Sequence, residues 1–147
     1  MRVFKIGVLS FLCLVLLGST YEKKEASSLQ EKQISGASQL VVLWTSRDRD
    51  VALNMVFMYT LAAKKNGWWD EIRFIIWGPS SKLLSEDEEL QLEIKKMKEA
   101  GVELLACKVC AERYGVSEKL EKIGIEVKLM GGPLTSMLKT GWVCLTF

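Results

Sequence analysis

Short, nearly continuous apolar runs alternate with helical signals from residue 39 to residue 147, and this alternation limits the fold more than any other feature of the sequence. Leu40 to Trp44 reads LVVLW, with no polar residue to face water, as in a parallel strand covered on both sides. After a polar TSRDRD turn, Val51 to Lys65 is rich in Ala, Leu and Met and reads as a mostly buried helix closed by Asn66-Gly67. Ile72 to Trp77 is a second strand, ended by Gly78-Pro79. Ser85 followed by Glu88 predicts a capping box, and Leu90, Ile94 and Met97 share one helical face before Gly101 stops the helix. Val102 to Ala106 is a third strand that delivers the chain to Cys107. Short helical stretches follow, through Tyr114 to Gly115 and from Ser117 to Ile123. Ile125 to Met130 is a fourth strand, Gly131-Gly132-Pro133 a turn, Leu134 to Lys139 a short helix and Trp142 to Phe147 a fifth strand. This order predicts an α/β fold: a three-layer αβα domain over residues 39–147 with a five-stranded, mainly parallel sheet.

The residues before that domain have a different character. Arg2 and Lys5 precede an uncharged apolar run from Ile6 to Gly18, the layout of a secretory signal peptide over residues 1–20. The run covers 13 residues, short of the roughly 18 to 20 that span a bilayer. Export to the periplasm or the cell exterior is therefore expected, with membrane attachment only if the leader stays as an uncleaved anchor. Residues 21–38 (YEKKEASSLQEKQISGAS) are polar and aperiodic, the composition of a flexible linker.

Charge and residue counts then remove whole classes of function. The chain holds 20 Lys+Arg and 18 Asp+Glu. Its two surplus positive charges are Arg2 and Lys5, so the remainder is neutral. A neutral body lacks the excess of positive charge that phosphate backbones require, so no nucleic-acid partner is expected. The absence of histidine removes Ser-His-Asp triads, histidine bases and histidine-containing zinc sites. No metal and no cofactor is implied.

Four cysteines remain, and Cys13 leaves with the leader. Cys107, Cys110 and Cys144 are an odd number, so at least one thiol has no partner within the chain. Ligands of parallel α/β sheets sit beyond the carboxyl ends of the strands. That rule selects Thr45-Ser46-Arg47, Gly78-Pro79-Ser80, Cys107 to Cys110, and Gly131-Gly132. Cys107 passes from a strand into a helix start beside Lys108, a setting that favours a thiolate. It also fits a small apolar residue at a strand end. Cys110 completes a C-x-x-C, whose thiols can close a reversible disulfide. Cys144 lies inside the last strand, where core packing is its expected role. Arg47 or Arg49 can meet an anion or simply be solvated, and Gly131-Gly132 can form an anion-binding nest or simply turn the chain. Trp68-Trp69 are expected to cover the core or an oligomer contact.

The segment Gly101-Val102-Glu103-Leu104-Leu105-Ala106-Cys107, continued by KVCAERYGV to Val116, resembles the DsrE/DsrF-like family of sulfur-relay proteins. Gly101-Val102, Cys107 and Arg113-Tyr114-Gly115-Val116 fall in register with the TusD-type pattern, and the likeness extends in strand order over residues 39–147. The resemblance implies that Cys107 receives sulfane sulfur as a persulfide from a donor and hands it to the thiol of an acceptor protein. It also implies a homo-oligomer, a trimer or hexamer. The sequence departs from the pattern in two places. Well-known relay members are cytoplasmic, whereas this chain carries an export leader. Cys110 stands where the TusD-type pattern has a small residue, and a neighbouring thiol can attack a persulfide and release sulfide.

Two readings compete with sulfur handling. A thiol–disulfide oxidoreductase would use Cys107 and Cys110 directly, although thioredoxin-type motifs follow the first strand of their domain rather than the third. A non-catalytic oligomeric binding module would keep the cysteines for packing alone.

Overall fold

The structure, a computed structural model, describes residues 39–147. The expected leader (1–20) and linker (21–38) lie outside the described residues. Strand β1 spans Gln39–Trp44. Helix α1 is continuous but composite: Arg49–Val51, a π-helical stretch Ala52–Phe57, and Met58–Lys65. Then come β2 (Glu71–Ile76), α2 (Pro79–Glu86), α3 (Glu88–Glu99), β3 (Glu103–Cys107), α4 (Lys108–Tyr114), α5 (Ser117–Lys122), β4 (Glu126–Lys128), α6 (Gly131–Lys139) and β5 (Val143–Thr146).

The five strands form one sheet in the order β4-β3-β2-β1-β5, and every pairing is parallel. β1 lies between β2 and β5 with a core on each face, which explains why it is apolar after Gln39: Leu40, Val41, Val42 and Trp44 are all fully buried. Alternate side chains enter two separate cores, as the period of a strand requires. Leu40, Val42, Trp44, Ile72, Phe74, Ile76, Leu104 and Ala106 point to one face. There they meet Ala52, Val56 and Phe57 of α1, Leu84 of α2, Leu90, Ile94 and Met97 of α3, and Leu120 of α5. Trp44, Phe57 and Phe74 interlock edge-on or tilted, with centroids 5.0 to 6.2 Å apart. On the opposite face Val41, Ile75, Leu105 and Cys107 pack with Met130, Met137 and Trp142, which α6 and its flanks supply.

Two local expectations are corrected, and two features were unforeseen. The cap of α3 is Asp87, whose carboxylate accepts from the Leu90 N–H at 3.1 Å. Ser85 is not the cap. It sits inside α2, its hydroxyl donating to the Lys82 carbonyl. α2 itself occupies a stretch to which the sequence assigned no element, with Pro79 in its first turn, where a missing N–H costs nothing. Gly131 and Gly132 do not turn the chain; they begin α6, and neither has positive φ. The π-helical stretch in α1 was also unforeseen. Its five-residue spacing carries Ala52 and Phe57 into the same core, while Thr60 returns its hydroxyl to the Val56 carbonyl at 2.6 Å.

Candidate functional site

The carboxyl ends of the strands are built from residues selected by the sequence, and several of these are already committed to holding the ends together. Thr45 donates to the Phe147 carbonyl through both its N–H (2.7 Å) and its hydroxyl (2.6 Å), and the Ser46 N–H adds a third bond at 3.3 Å. Ser80, fully buried, donates from its hydroxyl to the Trp44 carbonyl at 2.7 Å and accepts from the Trp77 N–H at 3.2 Å. These bonds tie the loops after β1, β2 and β5 to one another. The Ser46 hydroxyl is buried without a partner.

Cys107 is the last residue of β3 and also the N-cap of α4, with extended backbone angles (φ −70°, ψ 112°) and only 5% exposure. Being an odd-numbered neighbour of Leu105, it points to the α6 face of the sheet. Cys110, third residue of α4, is half-buried and packs against that same cluster. Both thiols are free. They adjoin each other, because side chains at an N-cap and at the third helical position face across the first turn. Burial pushes the Cys110 thiol up from its ordinary value, and the Cys107 thiol beside it adds to the rise. The nearby backbone N–H of Gly78 and the charge of Arg113 act in the opposite direction without cancelling it.

The family model of the DsrE/DsrF-like family matches residues 38–147. The chain belongs to the DsrE/DsrF-like family. Its relatives among solved structures agree in architecture. A conserved protein of unknown function from Bacteroides thetaiotaomicron, BT1422, is 41% identical with a TM-score of 0.73, over 75% of this chain and 95% of that one. The ychN protein from E. coli is 15% identical with a TM-score of 0.58, over 74% of this chain and 99% of that one, and shows a shared fold. A search of curated proteins gives no match. Membership brings the sulfur-relay association of the family.

In this DsrE/DsrF-like domain the remaining candidates separate from the cysteine pair. Lys108 directs its ammonium towards Glu112 at 3.7 Å, and both side chains are exposed. Arg47 is an exposed partner of Glu86 at 3.9 Å. Arg49 binds Asp87 at 2.7 Å and also Glu89, so its charge serves the start of α3. The Gly131-Gly132 nest does not form, because a nest needs a left-handed residue and both glycines are helical. Trp68 is exposed, whereas Trp69 packs on the core with its ring N–H on the Tyr59 hydroxyl at 3.2 Å.

Cys144 is half-buried on the same sheet face as Cys107, yet it is remote from it. It pairs with Val41, which pairs with Arg73, which pairs with Glu103. Three strand spacings therefore separate the two cysteines, roughly 14 Å, and Cys107 is four residues farther along, roughly 13 Å more along the strand. No disulfide can bridge that gap. Its sulfur lies 3.7 Å from the Thr146 hydroxyl. Among the described residues no three Cys, Asp or Glu side chains converge as a metal site. Nor is any described helix long and apolar enough to cross a membrane.

Two residues beside the cysteine pair have a part that the sequence did not assign to them. Gly78 was selected among the strand-end residues without a role; its φ of 71° and ψ of −136° are a backbone conformation nearly restricted to glycine, and its N–H lies near Cys110. The signal was the Gly-Pro dipeptide after a buried strand. Arg113 was read as part of a family pattern, and one helical turn beyond Cys110 it is a nearby cation.

Proposed function

We propose that this protein is an exported sulfur carrier in which Cys107 holds sulfane sulfur as a persulfide and passes it to the thiol of a partner protein. The observation that carries this reading is the placement of a free cysteine at the carboxyl end of an inner parallel strand, where it is also the N-cap of α4. Strand ends of this kind are where parallel sheets hold ligands, and the unpaired N–H groups of a first helical turn favour a sulfur anion. Membership of a family associated with sulfur relay supports the same chemistry. In the first step the Cys107 thiolate attacks the outer sulfur of a donor R–S–S⁻, forming Cys107–S–S⁻ and releasing R–S⁻. In the second, an acceptor thiolate attacks the outer sulfur and Cys107 leaves as the thiolate. Neither step changes the total oxidation level, so no external oxidant or reductant is consumed.

Export follows from Arg2, Lys5 and the apolar run to Gly18 and is part of the proposal. The test uses a sulfane donor carrying radioactive sulfur. Full-length protein loaded with label and then mixed with a small thiol should transfer the label, and Cys107→Ser should neither load nor transfer. Loading that survives in Cys107→Ser refutes the proposal.

A further inference from the structure

The persulfide reading leaves Cys110 without a part, although the structure places it beside the reacting sulfur. We infer that Cys110 is the thiol that clears the Cys107 persulfide: it attacks Cys107 Sγ, expels the outer sulfur as hydrosulfide and leaves a Cys107–Cys110 disulfide. The inference rests on the persulfide reading above and adds a second outcome to it, release instead of transfer.

Three features of the structure carry the inference. The first is reach. Cys107 is the N-cap of α4 and Cys110 its third residue, both thiols are free, and both touch the cluster around Leu105 and Met130. A C-x-x-C at a helix start has the spacing that lets its sulfurs bond, whereas Cys144 is excluded by sheet register. The second is competition. A thiol held on the same helical turn acts as an intramolecular reagent, at an effective concentration above that of an acceptor in solution. The third is the backbone after β2, where the Gly78 N–H lies near Cys110 and favours negative charge as that sulfur loses its proton. Burial and the neighbouring thiol keep Cys110 protonated at rest. Cys110 reacts as the thiolate it becomes on losing that proton, and the proton leaves with the expelled sulfur.

The step balances as Cys107–S–S⁻ plus Cys110–SH giving Cys107–S–S–Cys110 plus HS⁻. One S–S bond breaks and one forms. The sulfane sulfur gains two electrons and leaves with the proton of Cys110, and the two cysteines together lose two electrons. A dithiol reductant then returns the disulfide to two thiols. The protein thereby becomes a branch point, passing sulfur on when an acceptor is docked and releasing sulfide when none is.

The experiment loads full-length wild type, Cys110→Ser and Cys144→Ser with inorganic polysulfide without oxygen, removes small molecules, and follows sulfide release and peptide masses in thiol-free buffer. Wild type and Cys144→Ser should release sulfide in step with formation of the Cys107–Cys110 disulfide. Cys110→Ser should keep the added sulfur on Cys107 and release sulfide at least about tenfold more slowly, the loss of one intramolecular reagent. Equal release from wild type and Cys110→Ser, or a wild-type persulfide that persists with no disulfide, overturns the inference while leaving the persulfide reading intact. Absence of added sulfur on Cys107 in Cys110→Ser overturns both.

Discussion

Replacing Gly78 with alanine probes the backbone that serves the cysteine pair, and the cost can be worked from the structure. Gly78 has φ 71° and ψ −136°, and a Cβ added there would meet no atom within 4 Å. Steric contact with neighbours therefore contributes nothing, and the cost is that of holding an L-residue in a conformation it rarely adopts, about 1–3 kcal/mol. Rotation of the loop cannot relieve it cheaply. Ser80 bonds to the Trp44 carbonyl at 2.7 Å and to the Trp77 N–H at 3.2 Å, fixing the chain on both sides of the glycine. For a domain of this size each kcal/mol moves the melting midpoint by roughly 4 °C, so Gly78→Ala should lower it by roughly 4–12 °C. The matched control is Gly131→Ala, in the first turn of α6 and with open space around it. Alanine suits a helical backbone and restricts the unfolded chain, so the control should gain about 0.4–1 kcal/mol. Thermal melts of both variants by circular dichroism decide the matter. A midpoint for Gly78→Ala within about 1 °C of wild type would refute the strained strand end, because even the low end of that strain predicts a larger shift. A Gly131→Ala variant less stable than wild type would refute the helical start of α6.

Other perturbations follow from the same contacts. Asp87→Ala removes the cap of α3 and should cost about 1 kcal/mol in urea unfolding, whereas Ser85→Ala, which loses one hydrogen bond within α2, should cost less. The Cys110 thiol titrates above its ordinary value of 9.0, so the folded protein holds that proton more tightly than the unfolded chain. Its contribution to stability is present below 9.0 and declines as pH rises from there towards the raised folded value. The difference in unfolding free energy between wild type and Cys110→Ala should accordingly shift against wild type across that range, and a flat difference would contradict the raised titration. Leu105→Ala, opening a void in the core beneath Cys107, should cost about 2–5 kcal/mol in the same urea assay.

How far this fold can be read from its residues depends on whether each signal is local. LVVLW is legible as an inner strand because a strand covered on both faces has no site for a polar side chain, and IRFII is legible despite Arg73, whose partly exposed side chain pairs with Glu71 and Glu103. Leu90, Ile94 and Met97 are legible as the buried stripe of α3 for a similar reason of period. The cap of α3 is less legible, since Ser85-x-x-Glu88 and Asp87 both carry capping chemistry. The tie is broken by α2, which occupies Ser85, and by Arg49, which reaches across from α1 to Asp87. Gly131-Gly132-Pro133 has the composition of a turn, yet proline in a first helical turn is favourable and a glycine before it relieves the clash that a side chain would suffer. The π-helical stretch of α1 leaves no mark in composition. Within the candidate site, the cysteine at a strand-to-helix junction is local and legible. The Gly78 N–H is not, because its approach to Cys110 arises from the pairing of β2 with β3. The isolation of Cys144 likewise depends on β5 lying beside β1 at the far side of the sheet.

The central claim is that Cys107 carries the sulfur, and it is tested most directly where clearance by Cys110 is blocked. Full-length Cys110→Ser, incubated with a sulfane donor, should gain the mass of one sulfur atom, mapped by peptide analysis to Cys107 and removed by reduction. The gain should be unchanged when Cys144→Ser is added and should vanish when Cys107→Ser is added. Uptake of sulfur by a chain that lacks Cys107 would contradict the account.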